Sequence, residues 1–227
     1  MEYTEDGKMK ILYEDNHLLV VVKEPNIPVC EDDSHDLDLL TMLKKYLKEK
    51  YHKPGNVYLG LIHRLDRPVG GIMVFAKTSK SASRLSEQVR NNEFQKEYHA
   101  IVMGKVEEKG VYEDKLLKNK KTNTTLVDKN GKLSVLNYQL VKYNKENNLS
   151  LVRINLKTGR SHQIRVQFAH RQHYLYGDQR YNPYAKPKEQ IALCATSLSF
   201  NHPITKEKIN FKIPLPNSYP WNIFKVE

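Results

Sequence analysis

A chain of 227 residues, 39% hydrophobic and 28% charged, can bury the core of one large domain or two small ones, and no apolar run approaches the roughly 18 residues of a membrane span. Its 37 Lys and Arg against 26 Asp and Glu leave a net charge of +11, which favours a polyanionic partner over a surface charged only for solubility, with acidic membrane surfaces a weaker third. Cys30 and Cys194 have no CxxC spacing, which sets aside a disulfide scaffold and a cysteine-built zinc site and makes the reducing cytoplasm the expected compartment. The polar Met1–Lys10 segment reads as neither a secretory signal nor a transit peptide.

In chain order, the β-branched run His17–Lys23 predicts a buried strand ended by Pro25 and Pro28. Asp36–Tyr51 predicts an amphipathic helix with Leu40, Leu43, Leu47 and Tyr51 on one stripe, broken by Pro54-Gly55. Val57–Ile62 and Ile72–Ala76 read as strands around a His63–Gly71 loop. Ser79 is the expected cap of a helix carrying Ala82, Leu85 and Val89. Lys96–Val102 reads as a strand with Tyr98, Ala100 and Val102 on one face. The lysine-rich stretch 105–132 is either a hairpin or a mobile insertion. Strands follow at Leu133–Lys142 and Leu149–Leu156, a helix from near Ser161 past Phe168, and strands at Gln190–Phe200 and Lys208–Ile213. Short strands mixed with helices, without regular βαβ alternation, predict an α+β fold with a mixed, largely antiparallel central sheet flanked by helices.

The charge is uneven. Residues 1–50 carry 7 basic and 12 acidic side chains, a balance of −5, so the remainder carries +16. Within it, 153–188 has eight basic residues and one acid, Asp178.

The densest chemistry lies at His63-Arg64-Leu65-Asp66-Arg67, one carboxylate among three cationic or potentially cationic groups. Nearby positive charge holds a carboxylate ionised, fit to act as a nucleophile or a base. The same residues also suit an ordinary surface turn closed by an ion pair. A second cluster, Leu156–Arg165, follows a strand and opens a helix. It reads either as an anion seat with Arg165 reaching inward to a carboxylate, or as a helix start with exposed basic residues. Tyr98 is either a ring for stacking on a base or a core residue. His63, His162 and His170 have no recognised metal spacing.

Taken together, Lys23-Glu24-Pro25, HRLDRPVGGIMVFAKT (63–78), KEYHAIVMG (96–104), LKTGRSHQIRVQFAH (156–170), GDQRY (177–181), ALCATSLSFNHPIT (192–205) and PLP (214–216) resemble an RluA-type RNA pseudouridine synthase. The resemblance runs from about Ile11 to Pro216, and the whole chain, 1–227, is expected to be a single catalytic domain. It implies isomerisation of specific uridines in ribosomal or transfer RNA, on a flipped-out nucleotide, without metal or cofactor. Asp66 matches the catalytic aspartate, proposed in the family to attack C1′ of the ribose or C6 of the base. Arg165 matches the arginine paired with it. Tyr98 matches the tyrosine that packs on the base and is a candidate to remove the C5 proton. Arg64 matches an arginine that occupies the space of the flipped nucleotide, and Ile164 an apolar wall of the base pocket. Arg160, Arg67 and His162 complete the expected RNA-binding set, and the basic stretch 153–188 with Lys115, Lys118, Lys120 and Lys121 is expected to hold flanking phosphates.

Several features depart from the family. The pattern begins within the first ~15 residues, so no N-terminal S4-type domain is expected. Gly70-Gly71 stands where Ser-Gly is usual, Cys194 where His is usual, and Asn182 where Gly is usual. A monomer with no membrane partner is the expected form. The alternative is a non-catalytic RNA-binding or ribosome-assembly protein on the same fold. A glycoside hydrolase, which needs two carboxylates about the bond, fits poorly a loop offering one.

Overall fold

The computed structural model describes residues 2–3 and 9–224, so most of the Met1–Lys10 segment lies outside the described residues. The chain divides into two compact units, Met1–Gln95 with Ser197–Ile213, and Lys96–Thr196 with Pro214–Glu227.

In the first unit, β1 (Glu2–Tyr3), β2 (Lys10–Glu14), β3 (Leu18–Lys23), the short β4 (Gly60–Leu61) and β5 (Gly70–Ala76) accompany helices α1 (Leu39–Lys50) and α2 (Ser79–Arg90). β2 pairs antiparallel with β3, and β3 with β5. β3 is a run of aliphatic residues, with Leu18 through Val21 fully buried, as a strand covered on both faces must be. Leu18, Val20, Ile72, Val74, Leu85, Phe94, Leu198 and Phe200 form the core. Each such fully buried side chain contributes about 1.5–3 kcal/mol. The β3/β5 register runs from Leu18 opposite Ala76 to Lys23 opposite Gly71. It sets the end of β3 beside the exit of the 63–69 loop.

Asp38 caps α1 by accepting from the Thr41 amide at 3.0 Å. The buried stripe is Leu39, Leu43 and Leu47; Leu40 is half-buried and Tyr51 exposed. Of the expected stripe Leu43 and Leu47 are buried, and the stripe departs only at its ends, where Leu39 takes the buried place expected of Leu40 and Tyr51 falls at the C-cap. Thr78, not Ser79, caps α2, accepting from the Ser81 amide at 3.1 Å. Of the expected strand Val57–Ile62 only Gly60–Leu61 pairs. Glu14 at the end of β2 accepts from Tyr46, Tyr51, Lys50 and Lys77, all at 2.8–2.9 Å. Burial alone would raise its pKa, but these donors outweigh it and hold the carboxyl at about 2.

In the second unit, β6 (Gln95–Met103), β7 (Lys109–Asn119), β8 (Thr124–Val127), β9 (Lys132–Asn144) and β10 (Leu149–Leu156) precede α3 (Gln163–His170). Their order is β6-β10-β9-β7-β8, antiparallel throughout. The 105–132 stretch thus resolves as paired strands, β7 and β8 forming a hairpin. Phe168 of α3 sits against Tyr112 and Tyr138, ring centroids 4.9 and 5.6 Å away. β11 (Leu193–Asn201) carries the chain into the first unit, where it pairs with β12 (Lys208–Lys212), and a 3-10 turn, Trp221–Ile223, closes the described chain. The fold is α+β with a mixed, largely antiparallel sheet.

Candidate active site

In the first unit the 63–69 loop is held from beneath. Leu65 is buried, Asp66 half-buried, and Arg64 and Arg67 exposed. The fully buried Lys23 donates from Nζ to the carbonyls of Glu24 and Arg67, both at 2.9 Å. The Arg67 carbonyl also accepts from the Asn26 amide at 2.8 Å, and the Asp66 carbonyl from the Val69 amide at 2.9 Å. Burial pushes the Lys23 ammonium down to about 8, while the Asp66 and Glu24 charges oppose that shift. Lys23 thus sets a positive charge within range of Asp66 while its hydrogen bonds fix the main chain next to it.

Gly70 and Gly71 permit this close stacking. A Cβ on Gly70 would lie 3.1 Å from the Pro25 ring and 3.2 Å from the Lys23 carbonyl. Gly71 has φ 130°, a conformation that side chains disfavour. The departure from Ser-Gly at this point therefore has a packing reason at Pro25.

The Arg67 guanidinium donates to the Asn26 carbonyl at 3.2 Å, to Ser34 Oγ at 2.8 Å and to Asp36, with Asp32 at 3.7 Å. Its hydrogen bond with Asp36 lowers that carboxyl's pKa, and Ser34 donors lower that of Asp32. The charge expected to face RNA is thus partly met within the protein. Arg64, by contrast, makes no side-chain hydrogen bond or ion pair among the described residues. His63 is one of the potentially cationic groups expected around Asp66. Its Nε2 accepts the Val74 amide at 3.2 Å and its ring lies 5.2 Å from Phe94, so it serves as a neutral anchor.

In the second unit Tyr98 is buried on β6, opposite Ile154 of β10, with Ala100 and Val102 on the same alternating face. Ile164 and Arg165, each 4% exposed, begin α3. Arg165 donates to Asp178 from Nε at 2.8 Å and from a terminal nitrogen at 2.6 Å, and its guanidinium lies 5.1 Å from the Tyr181 ring centre. Such a two-point bond fixes both position and charge. The Tyr181 hydroxyl accepts from the Thr125 amide at 2.8 Å and meets His162 Nδ1 at 2.6 Å. Burial raises its pKa.

The helix starts at Gln163 rather than near Ser161, because His162 takes a left-handed conformation, φ 54°. Gln163 Oε1 accepts from the Arg160 amide at 3.0 Å and from Thr158 Oγ at 2.9 Å. That amide of the expected anion seat is thus already occupied. The Arg160 guanidinium donates to the Leu133 carbonyl at 3.3 Å and stays exposed. Arg153, Lys157, Arg180, Lys186 and Lys188 are also exposed, as are Lys115, Lys118, Lys120 and Lys121. Arg171 is not wholly available, since it pairs with Asp114 at 2.9 Å.

Three residues with no role expected from the sequence matter here. Asp178 and Tyr181 hold Arg165, and Lys23 holds the 63–69 loop. Their signals were a single acid within a basic stretch and a lysine ending an aliphatic strand.

The model of the RNA pseudouridylate synthase family matches residues 17–170. The ribosomal large subunit pseudouridine synthase D of Vibrio cholerae is 33% identical over 94% of this chain and 69% of its own. An uncharacterized RNA pseudouridine synthase of Bacillus subtilis is also 33% identical, over 93% of this chain and 70% of its own. The solved structure of human RNA pseudouridylate synthase domain containing 4 shares the fold, with TM-score 0.76 and 22% identity over 91% of this chain and 88% of that one. A family match over most of the chain and relatives 33% identical across more than nine-tenths of it leave one conclusion. The chain belongs to the RNA pseudouridylate synthase family and is an isomerase of uridine in RNA.

Proposed function

We propose that the protein converts specific uridines of large-subunit ribosomal RNA to pseudouridine, with Asp66 as nucleophile. The names of the similar synthases from Vibrio cholerae and Buchnera aphidicola support the ribosomal target. The observation that carries the nucleophile is the restraint on Asp66. Its own carbonyl and that of Arg67 are hydrogen-bonded, and the buried Lys23 charge acts on its carboxylate.

The reaction conserves every atom of the nucleotide. The carboxylate adds at C1′ or C6, the C1′–N1 bond breaks, and the uracil turns. C5 then bonds to C1′, the bond to the Asp66 carboxylate breaks (displaced from C1′ by C5, or eliminated from C6), C5 loses its proton, and N1 takes one up. No electron acceptor is needed, so the proposal includes neither metal nor cofactor. Holding the carboxylate still lowers the entropic part of the barrier. We assign Tyr98 to the base face and the C5 proton, Arg165 to keeping the carboxylate ionised, and Ile164 to the apolar wall. Arg64, Arg160, Arg67 and His162 are assigned to the RNA. We take residues 1–227 as one catalytic domain, acting as a cytoplasmic monomer. Among the described residues no helix is long and apolar enough to cross a membrane.

The test is pseudouridine mapping on unmodified ribosomal and transfer RNA and on precursor ribosomal particles. The wild type should modify discrete sites of large-subunit RNA, while Asp66→Asn folds, binds RNA and modifies none. A fully active Asp66→Asn would remove Asp66 from the mechanism. Modification confined to transfer RNA would overturn the target, and a wild type inactive on every substrate, particles included, would favour a non-catalytic RNA-binding protein.

A further inference from the structure

Two cations of the second unit with little exposure have carboxylate partners: Arg165 has Asp178 at 2.6 Å and Arg171 has Asp114 at 2.9 Å. Lys96 does not follow that pattern. It is the second residue of β6 and shares the alternating face of Tyr98. Its side chain is half-buried. Among the described residues its ammonium has neither a hydrogen bond nor an ion pair. Burial lowers its pKa, with no carboxylate opposing the shift.

The surroundings of this ammonium are specific. Glu97 lies opposite Asn155 in the β6/β10 ladder, so Lys96 stands beside the turn that leaves β10. The next turn residue of consequence is Gly159. A Cβ there would lie 3.1 Å from Lys96 Nζ and within 4 Å of nothing else outside its own chain neighbours. The absent side chain leaves space directly at the ammonium. Exposed Lys157 and Arg160 lie two residues before and one residue after Gly159 in the chain. A partly dehydrated ammonium without a counter-charge destabilises the free protein. Its cost is offset when an anion arrives.

We infer that Lys96 and the open space at Gly159 seat one phosphodiester of the RNA substrate. The family supplies RNA as the substrate, and the anion RNA presents repeatedly is the backbone phosphate. A compact ammonium matches a phosphate oxygen as a point charge. A neutral base carbonyl could accept a hydrogen bond there but would leave the charge uncompensated. This inference rests on RNA being the substrate and not on the role of Asp66.

The experiment measures binding of a short single-stranded oligouridylate at a series of salt concentrations, with thermal unfolding and pseudouridine formation in parallel. For Lys96→Met the affinity should fall about tenfold. The plot of log affinity against log salt should become shallower by about 0.7, the value of one lost phosphate contact on a single strand. The Tm should stay level or rise by about 2 °C, because an unpaired charge has been removed. Lys96→Arg should keep the wild-type slope. An unchanged slope with weaker binding would mean a base or sugar contact and overturn the phosphate. Unchanged affinity would overturn the site. A lower Tm in both Lys96→Met and Lys96→Gln would make Lys96 structural and overturn it as well. Wild-type binding insensitive to salt would do the same. Failure of the mapping assay with the slope change intact would sink the enzymatic reading and leave this seat standing.

Discussion

The 63–69 loop of the first unit and helix α3 of the second are both held rigidly, but by different physics. The loop is held through its main chain, with Lys23 and the Asn26 amide on the Arg67 carbonyl and the Pro25 ring against Gly70. The helix is held through side chains, with Arg165 on Asp178 and Gln167 donating to Asp114 at 2.8 Å and to the Ser134 carbonyl at 3.1 Å. A main-chain restraint fixes the path of the loop that carries Asp66. A side-chain restraint fixes the direction and charge of the group it holds. The expected nucleophile sits in the first kind of setting, and the expected fixed charge in the second.

The difference is sharpest at Asp178. Asp178→Ala would remove the two-point bond to the buried Arg165 guanidinium, at a cost of about 3–5 kcal/mol. Urea unfolding checks this, and a loss below about 1 kcal/mol would mean that α3 does not depend on the pair.

Lys23 should behave in the opposite way. In Lys23→Met the lost hydrogen bonds are offset by relief of burying a charge, so stability at pH 7 should change by about 1 kcal/mol or less. Turnover should instead fall by about tenfold to a hundredfold, since the loop beside Asp66 loses its support. The folded Lys23 value of about 8 lies below the usual 10.5. The unfolded chain therefore holds more protons between those values, and wild-type stability should rise relative to Lys23→Met as pH climbs through that window. A flat difference across it would show that folding does not depress Lys23 at all.

Arg64 gives the smallest structural effect. Arg64→Ala should alter stability by no more than about 0.5 kcal/mol while weakening RNA binding. A clear drop in Tm would show that Arg64 belongs to the loop's scaffold and not to its RNA contacts.

Sequence patterns revealed what local periodicity controls. β3 was legible because its aliphatic residues leave no other reading. α1 and α2 were legible in extent, but not in their caps, since Asp38 and Thr78 compete with neighbours of equal capping ability. α3 was harder. Gln163, Arg165 and Gln167 are buried, so polar residues point inward and hide the helical period. Their partners Asp114, Ser134 and Asp178 lie far along the chain. The HRLDR residues stood out in the sequence as a charge cluster. The Lys23 support did not, because only the β3/β5 register reveals that a strand-end lysine lies under the loop.

The contact between Gly70 and Pro25 has a consequence for how such a chain can drift. A Cβ at position 70 would meet the Pro25 ring at 3.1 Å, so the ring must first withdraw by a few tenths of an ångström. The two positions are therefore epistatic. A lineage exchanging Gly70 for serine does so at low cost only after Pro25 or its neighbours have shifted, and the reverse order passes through a strained intermediate.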